Sequence, residues 1–158
     1  MSLTDPPDPT EAAVSTFHHA RELPAPPESV FTAIQDPARL ACWWGPAGFT
    51  STFHTFEFRE GGAWLFTMHG PDGTDYPNQS EFLEIVPPSL VRIRHLNLPH
   101  FELAISLEST ASGTHVSWVG VFENHQVAES MRAFLETANE QNLDRLASEL
   151  GAVPRQGA

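Results

Sequence analysis

The residues of this chain that could do chemistry are amides, histidines and carboxylates. Asn139 and Asn142 fall within the apolar side of a predicted helix, between Leu135 and Leu146. A buried amide without a partner costs about 1–3 kcal/mol, so these two must either bond to the sheet or face water or a ligand. We expect one polar set to meet inside the protein: His69, Asp75, Tyr76, Asn78, His95, Asn139, Glu140 and Asn142.

Acid–base catalysis would need a desolvated carboxylate, and Asp75 and Glu140 are the candidates. At 100° per residue, Glu140 lies away from the apolar side of its helix, which predicts a position at the helix edge or in solvent. A serine hydrolase is not expected, since the chain has no G-x-S-x-G motif. The absence of Lys excludes Schiff-base chemistry and a P-loop.

The eight histidines do not have metal-site spacing. There is no HExxH or HxxxH pair and no Cys cluster, and the adjacent His18 and His19 would point to opposite faces of a strand. His69, His95 and His100 could approach one another, but a polar role is favoured, in which His69 or His95 bonds to a carboxylate or a ligand. We therefore expect no metal and no cofactor.

Aromatic residues are abundant, with four Trp and eleven Phe, and could line a cavity for a planar or lipid-like ligand. The alternative is an aromatic-rich core. Because Trp43 and Trp44 are adjacent on a short helix, only one should point inward, and the other should lie at the cavity mouth or on the surface. The candidate cavity residues are Trp43, Trp44, Phe49, Phe53, Trp64, Phe66, Met68, His69, Tyr76, Phe82, His95, Phe101, Trp118, Met131, Leu135, Asn139 and Asn142.

A long amphipathic helix over residues 124–150 would position the amides, with Asn124 as its N-cap and Gly151 ending it. Its predicted apolar side holds Val127, Ala128, Met131, Leu135, Ala138, Leu146 and Leu150, and the opposite side holds Glu136, Glu140 and Asp144.

Strand-like segments fill most of the chain before that helix. The first, 14–23, is followed by two short helices that begin at Pro27 and Pro37. Six more strands are predicted at 49–59, 63–69, 76–86, 90–96, 101–109 and 115–122. Short turns separate them, which indicates antiparallel neighbours. The order predicts an α+β fold in which a curved antiparallel sheet of about seven strands wraps around the last helix.

Composition limits the partners. The net charge is −12 and no basic stripe exists, which argues against nucleic acid and anionic membranes. No apolar run is long enough for a transmembrane helix, and the N-terminus does not have the pattern of a secretory signal. We expect a cytoplasmic protein with a flexible tail at 1–13, one domain at 14–151 and a short tail at 152–158.

Six strings in sequence resemble a known superfamily. They are WWGP with Phe49, FEFREGGAW, MHGPDGTDYPN, FLEIVPP, RHLNLPHFEL and ANEQNLDRL. In this order and spacing they resemble the START-like helix-grip superfamily (SRPBCC), and within it proteins related to the C-terminal domain of the activator of Hsp90 ATPase. The resemblance covers about residues 15–150. It implies a helix-grip fold with an apolar cavity between the curved sheet and the last helix.

The favoured function is binding of a small, largely apolar ligand of lipid, polyketide or aromatic type, with Asn139, Asn142, His69 and His95 at its polar end. One alternative is a cyclase, dehydratase or hydrolase that uses the same cavity. Another is a stress-related or chaperone-associated module with an exposed apolar patch at Trp43 or Trp44, which a homodimer could share. The separate N-terminal domain of the eukaryotic co-chaperone is not expected here.

Overall fold

Seven strands and four helices make up the part of the chain that the computed structural model describes, residues 15–152. The strands are β1 Ser15–Leu23, β2 Thr50–Phe56, β3 Ala63–His69, β4 Asp75–Val86, β5 Leu90–His95, β6 Phe101–Thr110 and β7 Gly113–Phe122. The helices are α1 Pro27–Gln35, α2 Pro37–Trp43, α3 His125–Ser130 and α4 Arg132–Ala152. The predicted tails, 1–13 and all but the first residue of 152–158, lie outside the described residues. None of these helices combines the length and the apolar character needed to cross a membrane.

The strands form one antiparallel sheet in the order β1-β7-β6-β5-β4-β3-β2. Strands β2 to β7 follow one another through short connections, as the turn residues predicted. Strand β1 lies at the edge of the sheet opposite to β2. It pairs with β7, from Ser15 opposite Phe122 to Leu23 opposite Thr114. The helices α1 and α2 therefore carry the chain from one edge of the sheet to the other. The predicted α+β helix-grip fold is confirmed.

Residue alternation gives the sheet one apolar face and one polar face. In β6 and β7 the buried side chains include Leu103, Ile105, Val116 and Trp118, which share the face turned toward the helices. The opposite face carries ion pairs, such as those from Arg92 to Glu84 at 3.0 Å and to Glu102 at 2.9 Å. Which face a strand residue occupies therefore decides whether it can reach the interior.

The C-terminal helix departs from prediction in its interior and at its C-terminal end. Asn124 does cap α3, because its side chain accepts from the Val127 N–H at 2.9 Å. The helix is not continuous, however: it breaks at Met131, whose φ of −103° and ψ of 2° are not helical. Gly151 does not end α4, which extends to Ala152. A glycine stops a helix where it takes a positive φ, and Gly151 does not.

The buried side of this region also differs from the predicted stripe. Leu143 is completely buried although it was not placed on the apolar side, whereas Val127 is 38% exposed. The break at Met131 changes the rotational phase between α3 and α4, so a single helical wheel does not describe both. In addition, α4 packs against α2, α1 and β1. The helix therefore meets loops and helices as well as the sheet.

Candidate functional site

Asn142 is bonded to the backbone that connects α2 with β2. Its side-chain oxygen accepts from the Gly45 N–H at 3.3 Å, and its amide nitrogen donates to the Trp43 carbonyl at 2.9 Å. The residue is only 6% exposed. Of the two options that the sequence left open for the amides, the structural one therefore holds for Asn142, and its predicted role at a ligand is wrong.

Two neighbours on α4 extend this attachment. Arg145 donates to the four backbone carbonyls of residues 42, 44, 45 and 46 at 2.9 to 3.2 Å, and burial lowers its pKa. The Gln141 side chain accepts from the Ala47 N–H at 3.1 Å. We call Gln141, Asn142 and Arg145 the α4 clamp. Gly45 has a φ of +101°, and a Cβ there would lie 2.7 Å from the Met68 methyl, so the clamped turn requires glycine.

Trp43, the last residue of α2, and Trp44 both contact the core, contrary to the expectation that only one would. Trp43 is fully buried, and its Nε1–H donates to the Ala33 carbonyl at 3.0 Å. Trp44 lies just beyond the end of α2 in extended backbone, so its ring is free to turn inward as well. The Trp44 ring lies 4.9 Å from that of Trp64 and 5.7 Å from that of Trp118.

Most of the predicted aromatic residues pack against one another. The Trp64 ring lies 4.4 Å from the Phe66 ring and 5.8 Å from the Phe82 ring, and Phe53 lies 5.4 Å from Trp64. These rings fill the centre of the protein, which agrees with the aromatic-core alternative. Trp64 nevertheless keeps one unusual feature, because its buried Nε1–H has no hydrogen-bond partner among the described residues.

His69 and Asp75 lie on the outer face of the sheet. Trp64 and Phe66 of β3 face the interior, so His69, an odd number of residues away, faces the opposite side. Its ring lies 2.8 Å from the Thr52 hydroxyl and 2.7 Å from the Asp75 carboxylate. The predicted contributions of His69 and Asp75 to an interior site are therefore wrong. Tyr76 faces the interior side but is 44% exposed at the sheet's open end, with its ring 6.0 Å from Phe49.

His95 is the interior histidine, and it is held by the protein itself. Its Nδ1 lies 2.8 Å from the Pro99 carbonyl and its Nε2 lies 2.7 Å from the Asn78 side-chain oxygen. Burial lowers the pKa of His95, while the hydrogen bond to Pro99 opposes that shift. The imidazole stacks on Phe101 at 4.7 Å, and Phe101 stacks on Phe122 at the same distance. This stack leads from the sheet interior to the cavity described below.

Glu140 lies at the edge of α4, as its position on the helical wheel predicted. Its carboxylate is 2.5 Å from Nδ1 of His19 and 2.9 Å from Arg21, both on β1. These hydrogen bonds hold the pKa of Glu140 below its usual range. Asn139, the preceding residue, is half-buried, and no hydrogen bond joins its amide to another described residue. Asn139 is not part of the lining of the cavity described below.

A cavity of about 690 Å³ opens at the end of the sheet where β7 leads into α3. Its walls are the β5–β6 connection from Leu98 to His100, Phe122 with the start of α3, and Met131 at the helix break. The volume is typical of small-molecule sites. Of the predicted cavity residues, Met131 is in the lining, and Phe101 and His95 lie behind Phe122 in the aromatic stack.

His125 lines this cavity and is connected to two polar side chains behind it. Its Nδ1 lies 2.9 Å from the Ser15 hydroxyl oxygen, and that hydroxyl donates to the Glu129 carboxylate at 2.9 Å. Arg132 also donates to this carboxylate, to the same oxygen at 2.7 Å and to the other oxygen at 2.9 Å. Hydrogen bonds from Arg132 and then Ser15 lower the pKa of Glu129 to about 2. Sequence reasoning missed this group because β1 and α3 are separated by about 100 residues.

Comparisons with known proteins agree with this architecture. The sequence model of the family described as "Activator of Hsp90 ATPase homolog 1-like protein" matches residues 24–151. A search of curated proteins finds no match.

Solved structures share the fold over most of their length. A protein from Arthrobacter aurescens is similar with a TM-score of 0.80 and 22% identity, covering 98% of this chain and 95% of the other. A protein from Chromobacterium violaceum has a TM-score of 0.77 and 26% identity, with 87% and 98% covered. The AHSA1 protein from Silicibacter pomeroyi has a TM-score of 0.73 and 21% identity, with 87% and 98% covered.

The START-like fold is, in general, that of a ligand-binding domain. The family match spans most of the chain, and the fold agrees with it over seven strands and the C-terminal helix. The chain therefore belongs to the activator of Hsp90 ATPase homolog 1-like family, within the START-like helix-grip superfamily.

Proposed function

We propose that this protein binds a small, largely apolar ligand in the cavity between the end of β7, the β5–β6 connection and α3. The observation that carries the proposal is the 690 Å³ cavity itself, in a fold that is of a ligand-binding type. Leu98, Phe122, Val127 and Met131 give it apolar walls from four separate segments. Apolar walls favour a lipid, polyketide or aromatic compound over a sugar or a nucleotide.

Stacked aromatic rings support one wall of the cavity. The Phe122 ring is backed by Phe101 and then by His95, each stacked at 4.7 Å, so the wall behind the ligand is well packed. At the rim, Leu98 is 78% exposed and Val127 is 38% exposed. A ligand that covers these side chains removes apolar surface from water, which is the main source of affinity for such compounds.

Binding is preferred to catalysis because of how the titratable groups are placed. The enzyme alternative needs a histidine or carboxylate with a perturbed pKa that is free to react in the cavity. His95 has a pKa lowered by burial, but both of its nitrogens contact protein oxygens. The chaperone-associated alternative expected a surface patch at Trp43 or Trp44, and both rings pack on the core instead.

We also propose a cytoplasmic location and a single domain at residues 14–151. The acidic composition and the single cysteine support the location, and the family match to 24–151 supports the domain. A homodimer remains a proposal as well, which light scattering of the purified chain would test.

The binding proposal is tested with N-phenyl-1-naphthylamine, an uncharged probe that becomes fluorescent in apolar sites. The variant Leu98→Glu places a charge at the cavity rim, and its high exposure means that the fold should tolerate the change. The matched control is Leu96→Glu, since Leu96 is 42% exposed and is not in the cavity lining. We expect Leu98→Glu to weaken probe binding about tenfold and Leu96→Glu to leave it unchanged. Equal effects of the two changes, or no binding to the unmodified protein, would contradict the proposal.

A further inference from the structure

Proton counting along the Glu129–Ser15–His125 chain fixes which nitrogen of the neutral histidine ring carries the proton. Glu129 has a pKa of about 2, so at neutral pH it is an acceptor only. The Ser15 hydroxyl has one proton, and it donates that proton to Glu129 at 2.9 Å. The Ser15 oxygen can then only accept from His125, whose Nδ1 lies 2.9 Å away. Nδ1 of His125 must therefore carry the proton.

The neutral imidazole has one proton, so Nε2 of His125 is left as an acceptor. No other described residue hydrogen-bonds to Nε2, and His125 is part of the cavity wall. Nε2 of His125 is thus an acceptor in the cavity wall whose lone pair is set by Ser15 and Glu129, which lie outside the lining. The other polar residues of the lining are His100, Glu123, Asn124 and Gln126. This is how a carboxylate commonly fixes a histidine tautomer, here with a serine hydroxyl interposed.

We propose that the cavity selects apolar molecules that carry one hydrogen-bond donor, a phenolic or alcoholic hydroxyl or an N–H, and that Nε2 of His125 accepts this hydrogen bond. The inference rests on the proposed function, because it assigns the polar contact of the same site. A ligand without a donor would leave the Nε2 lone pair facing apolar atoms, which opposes binding.

The supporting residues are held firmly enough to act as positioning residues. Ser15 is only 3% exposed, at the start of β1. Arg132 binds Glu129 through two nitrogens, at 2.9 and 2.7 Å, and its guanidinium lies 4.3 Å from the centre of the Phe17 ring. The serine and the carboxylate are thereby fixed to the sheet and to both helical segments. Removal of the Ser15 hydroxyl should therefore allow His125 to adopt the other tautomer while the cavity itself is unchanged.

The ligand preference is tested by titrating the protein with 2-naphthol and with 2-methoxynaphthalene, which differ in the donor. We expect 2-naphthol to bind about three- to tenfold more tightly, the usual worth of one hydrogen bond. His125→Phe keeps a ring but has no nitrogen, so the preference should disappear. His18→Phe is the control, since His18 lies on the exposed face of β1 and away from the cavity.

The outcomes separate this inference from the function on which it rests. Equal binding of both probes to the unmodified protein overturns the inference and leaves apolar binding standing. Binding of neither probe overturns both. A preference for 2-naphthol that survives His125→Phe shows another acceptor and also overturns the inference.

The tautomer is tested without any ligand, by ¹⁵N NMR of the histidine rings. We expect neutral His125 to show a protonated Nδ1 and an unprotonated Nε2. In Ser15→Ala the population should shift toward protonated Nε2, while the signals of His18 stay unchanged. Protonated Nε2 in the unmodified protein would overturn the inference, even if 2-naphthol binds.

Discussion

Replacement of Asn142 by alanine should destabilise the fold by about 1.5–5.5 kcal/mol. The change removes both hydrogen bonds to the α2–β2 connection and leaves the Gly45 N–H and the Trp43 carbonyl without partners in a buried place. Each group left unpaired costs about 1–3 kcal/mol. Alanine recovers about 0.5 kcal/mol through its higher helix propensity. The sum lies well above the effect of an ordinary surface substitution.

The assay is urea unfolding followed by tryptophan fluorescence, with the midpoint and slope fitted together. Asn139→Ala is the matched control, because it is the same exchange one turn earlier on α4 and no described residue bonds to that amide. The control should stay within about 0.5 kcal/mol of the unmodified protein. If the two variants differ by less than about 0.5 kcal/mol, the hydrogen bonds of Asn142 do not stabilise the fold and the account of the clamp is refuted.

Three further predictions concern other contacts. Arg145→Lys should lower the free energy of unfolding by about 1–2 kcal/mol, because an ammonium group cannot reach carbonyls from residue 42 to residue 46 at once; an unchanged urea midpoint would contradict this. Trp43→Phe should cost about 1 kcal/mol more than Trp64→Phe in the same assay, since both rings are buried but only the Nε1–H of Trp43 is bonded; equal costs would speak against it. The pKa of Glu129 falls from 4.5 to about 2 on folding, so its stabilising effect is complete above the unfolded pKa and is lost as the pH falls toward 2. The melting temperature of Glu129→Gln should therefore depend less on pH in this range than that of the unmodified protein, and parallel curves would show that the pairing does not contribute.

The strands could be predicted because the sequence of each strand shows its own alternation and its own flanking turn residues. The alternation in Ala63–His69 places one residue in two against the core, and Gly and Pro mark the turns on either side, so both bounds of this strand were predicted correctly. The face of the sheet on which a strand residue lies, in contrast, depends on how the whole sheet packs. His69 could be assigned to the outer face only after its neighbours Trp64 and Phe66 were known to be buried.

The site was harder to predict because its parts meet only through topology. The cavity joins Leu98, Phe122 and Val127, which lie on different segments and show no common spacing. The α4 clamp was missed for a related reason. A helical wheel placed Asn142 on the apolar side of the helix, but it cannot show that Asn142 and Arg145 bond to a backbone segment about 100 residues earlier.

The clamp also imposes an order on biosynthesis. Trp44 is synthesised about 100 residues before Arg145, and the Arg145 guanidinium later binds the Trp44 carbonyl. At about 5–20 residues per second, the nascent chain waits roughly 5–20 seconds with this turn unsupported. During that interval the aromatic residues around Trp44 lack the cover of α4 and are open to chaperones. A ribosome that stalls before α4 is complete would therefore hold a sheet that cannot finish folding, however well its strands pair.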